Sequence, residues 1–368
     1  MSPRRARRFG RALSELTLAL WNVEWLNDLF EPDSRPVAFR PDAAAAEHTP
    51  GATIRQRRHD LAGVINDISP DLMVIVEGPS RPEELQLFFN SDIEGVWQTT
   101  LQPSKGQTQN IGLAVRTDRA KFAATPFRRF DTALMDAFGA FLADTDDDGV
   151  EESYKFERRP LYAEIAPAVG RPFRILGLHL KSKGIFTAYE WSKWWAMADA
   201  NRRKLLAQAS QLRLRFLDPY LTSPDTCGIP LLVCGDINDG PGLDASEKRL
   251  FGSAVERLMG NVWRPELCLR NALYDALPKR DQERLNFAKI VTTSFRDPIF
   301  NGVWQREWID HVLYSQGGRA AVTDGEVAAA PWVQGARVYT TLRDGSQIWE
   351  KYKHASDHFP VVVNVTTA

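Results

Sequence analysis

The sequence predicts an α/β fold with more strands than one sheet usually holds, and three observations lead to this prediction. Short apolar, β-branched segments recur along the 368 residues, bounded by glycine, proline and aspartate as buried strands usually are. Segments with helical periodicity at 53–68 and 188–217 alternate with them, which is typical of α/β proteins. The strands are predicted at 16–21, 72–76, 111–116, 161–165, 173–178, 230–234, 308–314 and 360–365.

Length and composition limit the classes of protein that this chain can be. The 46 lysines and arginines balance 47 acidic residues, so the global positive field of a dedicated nucleic-acid binder is missing. A polyanionic substrate would therefore need a local patch or a metal ion. We expect a basic flexible tail at 1–14 and a single domain at 15–368.

Cysteine content and apolar segments bear on the cell compartment. The three cysteines are too few and too scattered for a disulfide framework or a thiolate metal site. The sequence shows neither an apolar run of the roughly 20 residues that a membrane span needs nor a signal-peptide cleavage site. We therefore predict a cytoplasmic protein.

Six predicted strands share one feature, polar side chains at one end of an apolar run; in S-D-H-F-P they come just before the closing strand. In W-N-V-E-W, Asn22 and Glu24 point to the same face because strand side chains alternate. By the same alternation, L-H-L-K-S-K-G is predicted to put an imidazole and two lysines on one face. The residues at these exits are Asn22, Glu24, Glu77, His179, Lys181, Lys183, Asp236, Asn238, Asp310, Asp357 and His358.

The chemistry of these exits indicates a metal site. One aspartate at a strand end is commonly a turn former or a helix cap. Six segments that all deliver oxygen ligands or imidazoles are poorly explained by solvation alone. Carboxylate and amide oxygens are the ligands that Mg²⁺ or Mn²⁺ prefers, whereas zinc favours nitrogen and sulfur. The sequence therefore predicts a hard divalent cation as cofactor.

The ordered motifs W-N-V-E-W, V-I-V-E-G, L-H-L-K-S-K-G, G-D-I-N-D, W-I-D-H and S-D-H-F-P resemble the endonuclease/exonuclease/phosphatase superfamily. This superfamily includes pancreatic deoxyribonuclease, abasic-site endonucleases, neutral sphingomyelinases and inositol polyphosphate phosphatases. The resemblance extends from about Leu16 to Val365. It implies a four-layer, DNase I-like α/β sandwich: two mixed β-sheets packed face to face, helices outside, and the site along one edge.

The resemblance also implies a role for each residue at the strand exits. Glu77 would be the principal metal ligand, and Asn22, Glu24 and Asp357 would complete or flank the metal shell. Asp236 would position or deprotonate the attacking water, and Asn238 would hold a non-bridging phosphate oxygen. His358 would act at the scissile phosphate, oriented by Asp310, and His179 would be a second imidazole on the phosphate.

Further cations are candidates for holding substrate phosphate. Lys181 and Lys183 follow His179, and an arginine of the pair Arg158 and Arg159, with Arg159 preferred, has the bidentate fork that suits phosphate. A solvated strand end and a surface salt bridge are the alternative interpretations.

The favoured function is hydrolysis of phosphodiester bonds in DNA or RNA. His179 is similar to the histidine of the deoxyribonuclease and sphingomyelinase branches, and the K-S-K-G segment is similar to that of bacterial extracellular nucleases of the superfamily. One alternative keeps the chemistry but takes a small phosphorylated metabolite or a phospholipid headgroup as substrate, which fits the balanced charge. The other alternative is a non-catalytic interaction module on the same fold.

Three further features have two interpretations each. Asp144, Asp146 and Asp148 begin a calcium-loop pattern, but Lys155 stands where the loop needs glutamate, so an acidic hairpin tip is favoured. Residues 188–217 predict an amphipathic helix with its tryptophans in the core and its cations in water, the alternative being a wall of the substrate groove. The aromatic residues Phe300, Trp304 and Trp308 flank Asp310 and are candidates for core packing or for base stacking.

Overall fold

The computed structural model of the protein describes residues 14–104, 109–130, 138–145, 148–185, 190–240, 250, 252–296, 303–316 and 332–367. The predicted tail up to residue 13, Asp146 and Phe300 lie outside these residues. The strands are β1 (Ser14–Asn22), β2 (Leu72–Gly78), β3 (Trp97–Gln102), β4 (Asn110–Arg116), β5 (Phe122–Arg129), β6 (Phe141–Ala143), β7 (Glu152–Tyr154), β8 (Leu161–Pro167), β9 (Phe173–His179), β10 (Leu231–Asp236), β11 (Arg270–Asn271), β12 (Thr293–Arg296), β13 (Trp304–Glu307), β14 (Asp310–Tyr314), β15 (Val333–Val338) and β16 (Val361–Thr367).

Twelve of these strands form two mixed sheets of six strands each. The first sheet has the order β15-β16-β1-β2-β4-β3, and the second has the order β11-β14-β10-β9-β8-β5. In the first sheet β1 runs parallel to β2 and antiparallel to β16. In the second sheet β10 runs parallel to β9 and antiparallel to β14. The first sheet thus combines early and late segments of the chain, and the second is built from its middle.

The helices lie at these positions: α1 (Ile54–Ile68), α2 (Pro82–Asp92), α3 (Trp194–Leu212), α4 (Asp218–Thr222), α5 (Ala254–Met259), α6 (Ala272–Ala276), α7 (Lys279–Glu283) and α8 (Ile348–Lys351). A π-helical segment, Arg213–Leu217, joins α3 to α4. Helix α1 begins in a capping box, in which Thr53 accepts a hydrogen bond from the backbone N–H of Gln56 and the Gln56 side chain accepts one from Thr53. None of the described helices is long and apolar enough to cross a membrane.

Three apolar clusters define the layers. The central cluster joins the facing sides of the two sheets, with Leu18 and Val74 from the first sheet and Ile175 and Leu232 from the second. An outer cluster packs α1 and α2 on the first sheet, and another packs α3 and α5 on the second. The order helix, sheet, sheet, helix confirms the predicted four-layer α/β sandwich.

Most predicted strands and the helix at 53–68 are present within two residues of their expected bounds. The strand predicted at 308–314 begins only at Asp310, because Trp308 packs in the central cluster and stacks on His311 with ring centroids 4.8 Å apart. Trp308 is therefore a core residue. The acidic segment is a hairpin, with β6 paired to β7, in which Asp144 accepts a hydrogen bond from the backbone N–H of Gly149.

The prediction for the helix at 188–217 was wrong in two respects. Trp195 is 54% exposed, whereas the prediction placed it in the core. Arg202 is buried, and its guanidinium donates a hydrogen bond to Asp239 at 2.9 Å. The buried face of α3 begins later in the helix, where Leu205, Ala209 and Leu212 pack on the second sheet. The helix is amphipathic, but its apolar face does not include the exposed tryptophan.

Candidate active site

Strand direction explains why the predicted site residues meet. The exits of the parallel pair β1 and β2 and of the parallel pair β9 and β10 lie at the same edge of the sandwich, since Asn22 at the end of β1 is hydrogen-bonded to Asp236 at the end of β10. In the register of the second sheet, Asp236 is paired with His179 on one side and with Asp310 on the other. One edge of the central layer therefore collects polar groups from both sheets.

Side-chain alternation places these groups between the sheets. Leu18 and Leu20 of β1 point into the central cluster, and Asn22 continues on the same face. Leu232 and Cys234 do the same in β10, so Asp236 also points inward. Asn22 and Asp236 meet across the sandwich, and the Asn22 Nδ2 donates a hydrogen bond to Asp236 Oδ2 at 3.1 Å.

Three residues at the strand exits have a left-handed backbone. Glu24, Glu77 and Asn238 have φ values of 50°, 60° and 57°. Residues other than glycine adopt this conformation at a cost of about 1–3 kcal/mol, and such residues cluster at functional sites. Hydrogen bonds hold two of these turns: Asn22 Oδ1 accepts from the Glu24 N–H at 3.0 Å, and Asp236 Oδ1 accepts from the Asn238 N–H at 2.8 Å.

Glu77 lies at the centre of a hydrogen-bond network. Its Oε1 accepts from Asn22 Nδ2 at 3.3 Å, and its Oε2 accepts from the Trp25 N–H at 3.0 Å and from Gln109 Nε2 at 2.8 Å. These donors fix the carboxylate, and among the residues that the structure describes no cationic side chain lies at hydrogen-bond distance from it. The nearest imidazole nitrogen, His179 Nε2, is 3.9 Å from Glu77 Oε1.

Glu24 and Arg57 form the second part of the site. Arg57 is 1% exposed and donates to the carbonyl oxygens of Val23 at 2.7 Å and His354 at 2.8 Å, and also to that of Glu24. Its Nη1 is 3.6 Å from Glu24 Oε2. Burial raises the pKa of Glu24 to about 7, and the carboxylate of Asp357 adds to this rise more than Arg57 opposes it.

His358 and Asp310 form a buried pair. The His358 Nδ1–H donates to Asp310 Oδ2 at 2.7 Å. Burial, the largest single effect, would lower the pKa of His358, but the carboxylates of Asp310, Asp357 and Asp236 together hold it well above its usual range. The Asp310 backbone N–H donates to Thr292 Oγ1 at 3.0 Å, which anchors the start of β14.

The pKa values of Asp236 and His179 are shifted in opposite directions. Burial, with Asp310 as the next cause, raises the pKa of Asp236 to about 7. Burial, together with Arg158 and His358, lowers the pKa of His179 well below its usual value, so this imidazole is neutral. His179 Nε2 is 3.7 Å from Asp236 Oδ2. The site thus contains one charged and one neutral imidazole on either side of an aspartate that titrates near neutral pH.

The oxygen-rich part of the site fits a hard divalent cation. Glu24, Glu77 and Asp357 bring carboxylates close enough to raise the pKa of Glu24, and a cation among them would relieve this repulsion. Asp236, Asp310 and His358 also have potential ligand atoms within 4.8 Å of one another. We do not assign the cation to that second set, since the positively charged His358 is already bound to Asp310 through Nδ1.

The predicted phosphate-binding cations occupy different environments. Strand β9 ends at His179, so the alternation expected to align the two lysines with this histidine stops before them. Lys181 Nζ donates to the Ser182 carbonyl oxygen at 3.0 Å, and Lys183 Nζ is 3.4 Å from Asp239 Oδ1. Arg159 is exposed, and its backbone N–H donates to Ser104 Oγ at 2.7 Å. Arg158 donates to Gln109, the residue that holds Glu77.

Sequence reasoning missed Arg57, Gln109 and Thr292. A signal for Arg57 exists, because Ile54, Leu61 and Ile65 mark the buried face of α1 and Arg57 falls on that face. A cation on an apolar helix face needs a special partner. Gln109 and Thr292 carry no comparable signal in the sequence.

Comparison with known proteins gives similarity in structure only. No family model matches the chain, and no curated protein sequence matches it. An endonuclease/exonuclease/phosphatase family protein from Bacteroides thetaiotaomicron is 14% identical, with 98% of this chain and 97% of that chain covered and a TM-score of 0.46. Truncated TDP2 from Caenorhabditis elegans is 12% identical, with 96% and 98% covered and a TM-score of 0.45. The human Nocturnin catalytic domain is 15% identical, with 98% of each chain covered and a TM-score of 0.43.

The fold class is assigned from the two sheets and the flanking helices of this chain itself. The sequence identities of 12–15% to these solved structures carry no argument about activity. The resemblance to the endonuclease/exonuclease/phosphatase superfamily holds in the structure as well as in the sequence, because the six motifs that carry it meet at one edge of a four-layer sandwich. The fold and the site define a class of α/β sandwich with a buried centre of carboxylates, amides and imidazoles.

Proposed function

We propose that the protein is a divalent-metal-dependent phosphodiesterase whose favoured substrate is DNA or RNA. The observation that carries the proposal is the juxtaposition of an oxygen-ligand set with a charged imidazole and an aspartate of raised pKa. Hydrolysis of a phosphodiester needs all three: offset of negative charge, a donor to the phosphate oxygens and a base for water.

The oxygen ligands would hold Mg²⁺ or Mn²⁺, which supplies charge offset at the phosphate when bound. Glu77 and Glu24 are the carboxylates best placed for this role, with Asn22 and Asp357 beside them. Arg57 keeps Glu24 in place by binding its backbone carbonyl and lying 3.6 Å from its carboxylate. Glu24 and Glu77 both have a left-handed backbone, with φ values of 50° and 60°.

Asp236 is the proposed general base. A base works best when its pKa lies near the working pH, and the Asp236 pKa of about 7 satisfies this condition before a cation is considered. Asn22 Nδ2 and the Asn238 backbone N–H each donate to the carboxylate, so its orientation is fixed. The Asn238 side chain, held by the Leu180 carbonyl oxygen at 3.1 Å, is the proposed contact to a phosphate oxygen.

His358 is the proposed cationic donor to the phosphate. Its Nδ1 is occupied by Asp310, so Nε2 is the nitrogen left to face the substrate. The raised pKa of His358 keeps both ring nitrogens protonated at neutral pH, which suits stabilisation of a developing oxyanion. Neutral His179 would add a second, uncharged contact.

The main alternative keeps these roles and changes the substrate to a small phosphorylated metabolite or a phospholipid headgroup. The balance of 46 basic and 47 acidic residues favours it, because a long polyanion would be better served by a broad basic surface. The pairing of Lys183 with Asp239 supports the same alternative, since that lysine is not free to capture phosphate. A non-catalytic module remains the second alternative.

The test compares wild type, His358→Ala and the control His59→Ala, whose side chain is 72% exposed. Each protein is incubated with plasmid, single-stranded oligonucleotide, RNA and a phosphodiester dye substrate in Mg²⁺, Mn²⁺ or EDTA. The proposal expects metal-dependent cleavage of a nucleic acid that His358→Ala loses and His59→Ala keeps. Cleavage of the dye alone would support the small-substrate alternative, and metal binding without any hydrolysis would support the interaction module.

A further inference from the structure

A cleft of about 1460 Å³ opens beside the candidate active site. Glu24, Asp357 and Ser356 line it, so it is continuous with the carboxylates proposed to hold the cation. Small-molecule sites usually enclose about 300–1,000 Å³. The size of the cleft therefore favours an extended ligand over a small metabolite.

The charge of the cleft differs from that of the whole chain. Among the described lining residues the acidic ones are Glu24 and Asp357, both assigned to the cation. The cationic lining residues are Arg57, Lys289, Arg296, Arg306, Arg337 and Lys353. Lys289 is paired with Asp281 at 2.8 Å and Arg57 with Glu24, which leaves four exposed cations directed to the cleft and its rim. A local positive patch thus exists in a chain of net charge −1.

Aromatic rings accompany these cations. Trp304 is 59% exposed and Trp349 is 50% exposed, although burial of large aromatic rings is strongly favourable. The Arg296 guanidinium lies 5.4 Å from the Trp304 ring centroid, and Trp349 packs edge-on against Phe359 with centroids 5.8 Å apart. Both tryptophans are held by neighbours and still present ring surface to solvent.

The aromatic and cationic side of the cleft is attached to the site by the backbone. The Ser294 N–H donates to the Asp357 carbonyl oxygen at 2.9 Å, and the Phe359 N–H donates to the Thr292 carbonyl oxygen at 2.7 Å. Strands β12 and β13 form a hairpin in which Arg296 is paired with Trp304. Thr293 of this hairpin forms a β-bridge with His358, so the hairpin is fixed directly beside His358. A ligand on Trp304 would lie on the same structural unit as the catalytic imidazole.

We propose that this cleft is a binding site for single-stranded nucleic acid, with unpaired bases stacked on Trp304 and Trp349 and phosphates held by the exposed arginines and Lys353. Base faces are free to stack on protein rings only when they are not stacked in a duplex, whereas positive charge alone would serve either form. The inference rests on the proposed function, because it names the form of nucleic acid that reaches the site.

The test measures the Kd of fluorescent single-stranded and duplex oligonucleotides in EDTA, so that binding is separated from cleavage. Trp304→Ala and Trp349→Ala are each expected to weaken single-strand binding by roughly 5- to 150-fold, the range of alanine substitution at a stacked base. Trp304→Phe is expected to restore most of the affinity. Trp263→Ala is the matched control, because Trp263 is 87% exposed and outside the cleft lining.

Each outcome decides for or against the cleft. Tighter binding of the single strand than of the duplex, lost in Trp304→Ala and kept in Trp263→Ala, supports it. Equal affinity for both forms, an unchanged Kd in Trp304→Ala, or preferential binding of an acidic peptide or of anionic lipid vesicles overturns it. Metal-dependent duplex cleavage with no effect of either tryptophan would leave the proposed function standing while the inference fails. Single-strand binding without any hydrolysis would contradict the proposed function and leave the inference about the cleft standing.

Discussion

Glu24 offers a direct test of the electrostatics at this site, through the substitution Glu24→Gln in metal-free protein. The glutamate side chain is partly buried, 25% exposed, near Asp357, and it has a pKa of about 7, against 4.5 for an unperturbed glutamate. Because the folded state holds its proton more tightly than the unfolded state does, ionisation of Glu24 costs stability as pH rises. Glutamine mimics the protonated form and carries no such cost.

The size of the effect follows from the two pKa values. The difference between 4.5 and about 7 corresponds to roughly 3 kcal/mol, at about 1.4 kcal/mol per pH unit. The stability that the raised pKa of Glu24 contributes to the free energy of unfolding is fully present at low pH and is lost progressively between about pH 4.5 and 7. Above that range the free energy of unfolding no longer changes through Glu24. At about pH 8 Glu24→Gln is therefore expected to be more stable than wild type by up to roughly 3 kcal/mol, and at about pH 5 by less than about 1 kcal/mol.

The assay is urea unfolding in EDTA at about pH 5 and pH 8, repeated with saturating Mg²⁺. Cation binding is expected to stabilise wild type by about 2.7 kcal/mol at a hundredfold excess over Kd, and to stabilise Glu24→Gln less. Glu83→Gln, on an exposed position of α2, is the control and should change stability by less than about 0.5 kcal/mol. A wild type and Glu24→Gln that remain equally stable at both pH values would refute the reasoning.

Four further changes test other parts of the structure. Asp236→Asn is expected to lower kcat about 10²- to 10⁴-fold and to remove the acidic limb of the pH–rate profile. In wild type this limb is expected at or below about pH 7, because a bound cation lowers the pKa of Asp236 from its metal-free value of about 7. An unchanged limb would assign the base elsewhere. Asp310→Asn is expected to shift the imidazole titration of His358 to lower pH by NMR, and to reduce kcat by a similar factor; an unshifted titration would contradict the pair. Gly235→Ala would put a Cβ 1.9 Å from the Leu178 carbonyl oxygen, so it should lower the free energy of unfolding in urea by about 1–3 kcal/mol or more. Gly228 has open space around it, so Gly228→Ala should lower this free energy far less. Arg306→Ala is expected to reduce the slope of log Kd against log salt for single-stranded oligonucleotide by about 0.7 if it holds one phosphate, and equal slopes would exclude that contact.

The strand exits were predictable because two simple rules act together. Alternation fixes which face each side chain takes, and parallel strands bring their exits to one edge. Asn22 and Asp236 illustrate this: each continues the inward face of an apolar strand, and they meet at 3.1 Å. Their distance in sequence gave no hint of contact, but the pattern of their strands did.

Other features depend on where a regular element stops. The lysines after His179 do not share its face because β9 ends there, and sequence periodicity does not report such an end. The left-handed backbone at Glu24 follows the end of β1, and that at Glu77 falls where the register of β2 with β4 shifts; neither residue favours this conformation by itself.

The β12–β13 hairpin was missed for a different reason. Its strands are short, and Trp304 and Arg306 are exposed on it, so the sequence shows no apolar alternation there. Arg57 lies on the buried face of α1, where helical periodicity by itself predicts an apolar residue. In both cases the overlooked residues are those that border the cleft or hold Glu24.

The position of β16 in the first sheet has a consequence for the timing of activity during synthesis. This strand lies between β15 and β1, and Asp357 and His358 immediately precede it. All the other proposed ligands and catalytic groups are translated earlier. A growing polypeptide therefore contains the proposed ligands Glu24 and Glu77 long before it contains Asp357 and His358. The proposed hydrolytic activity should consequently be absent from nascent chains that lack β16, and it should arise only when this strand is inserted beside β1.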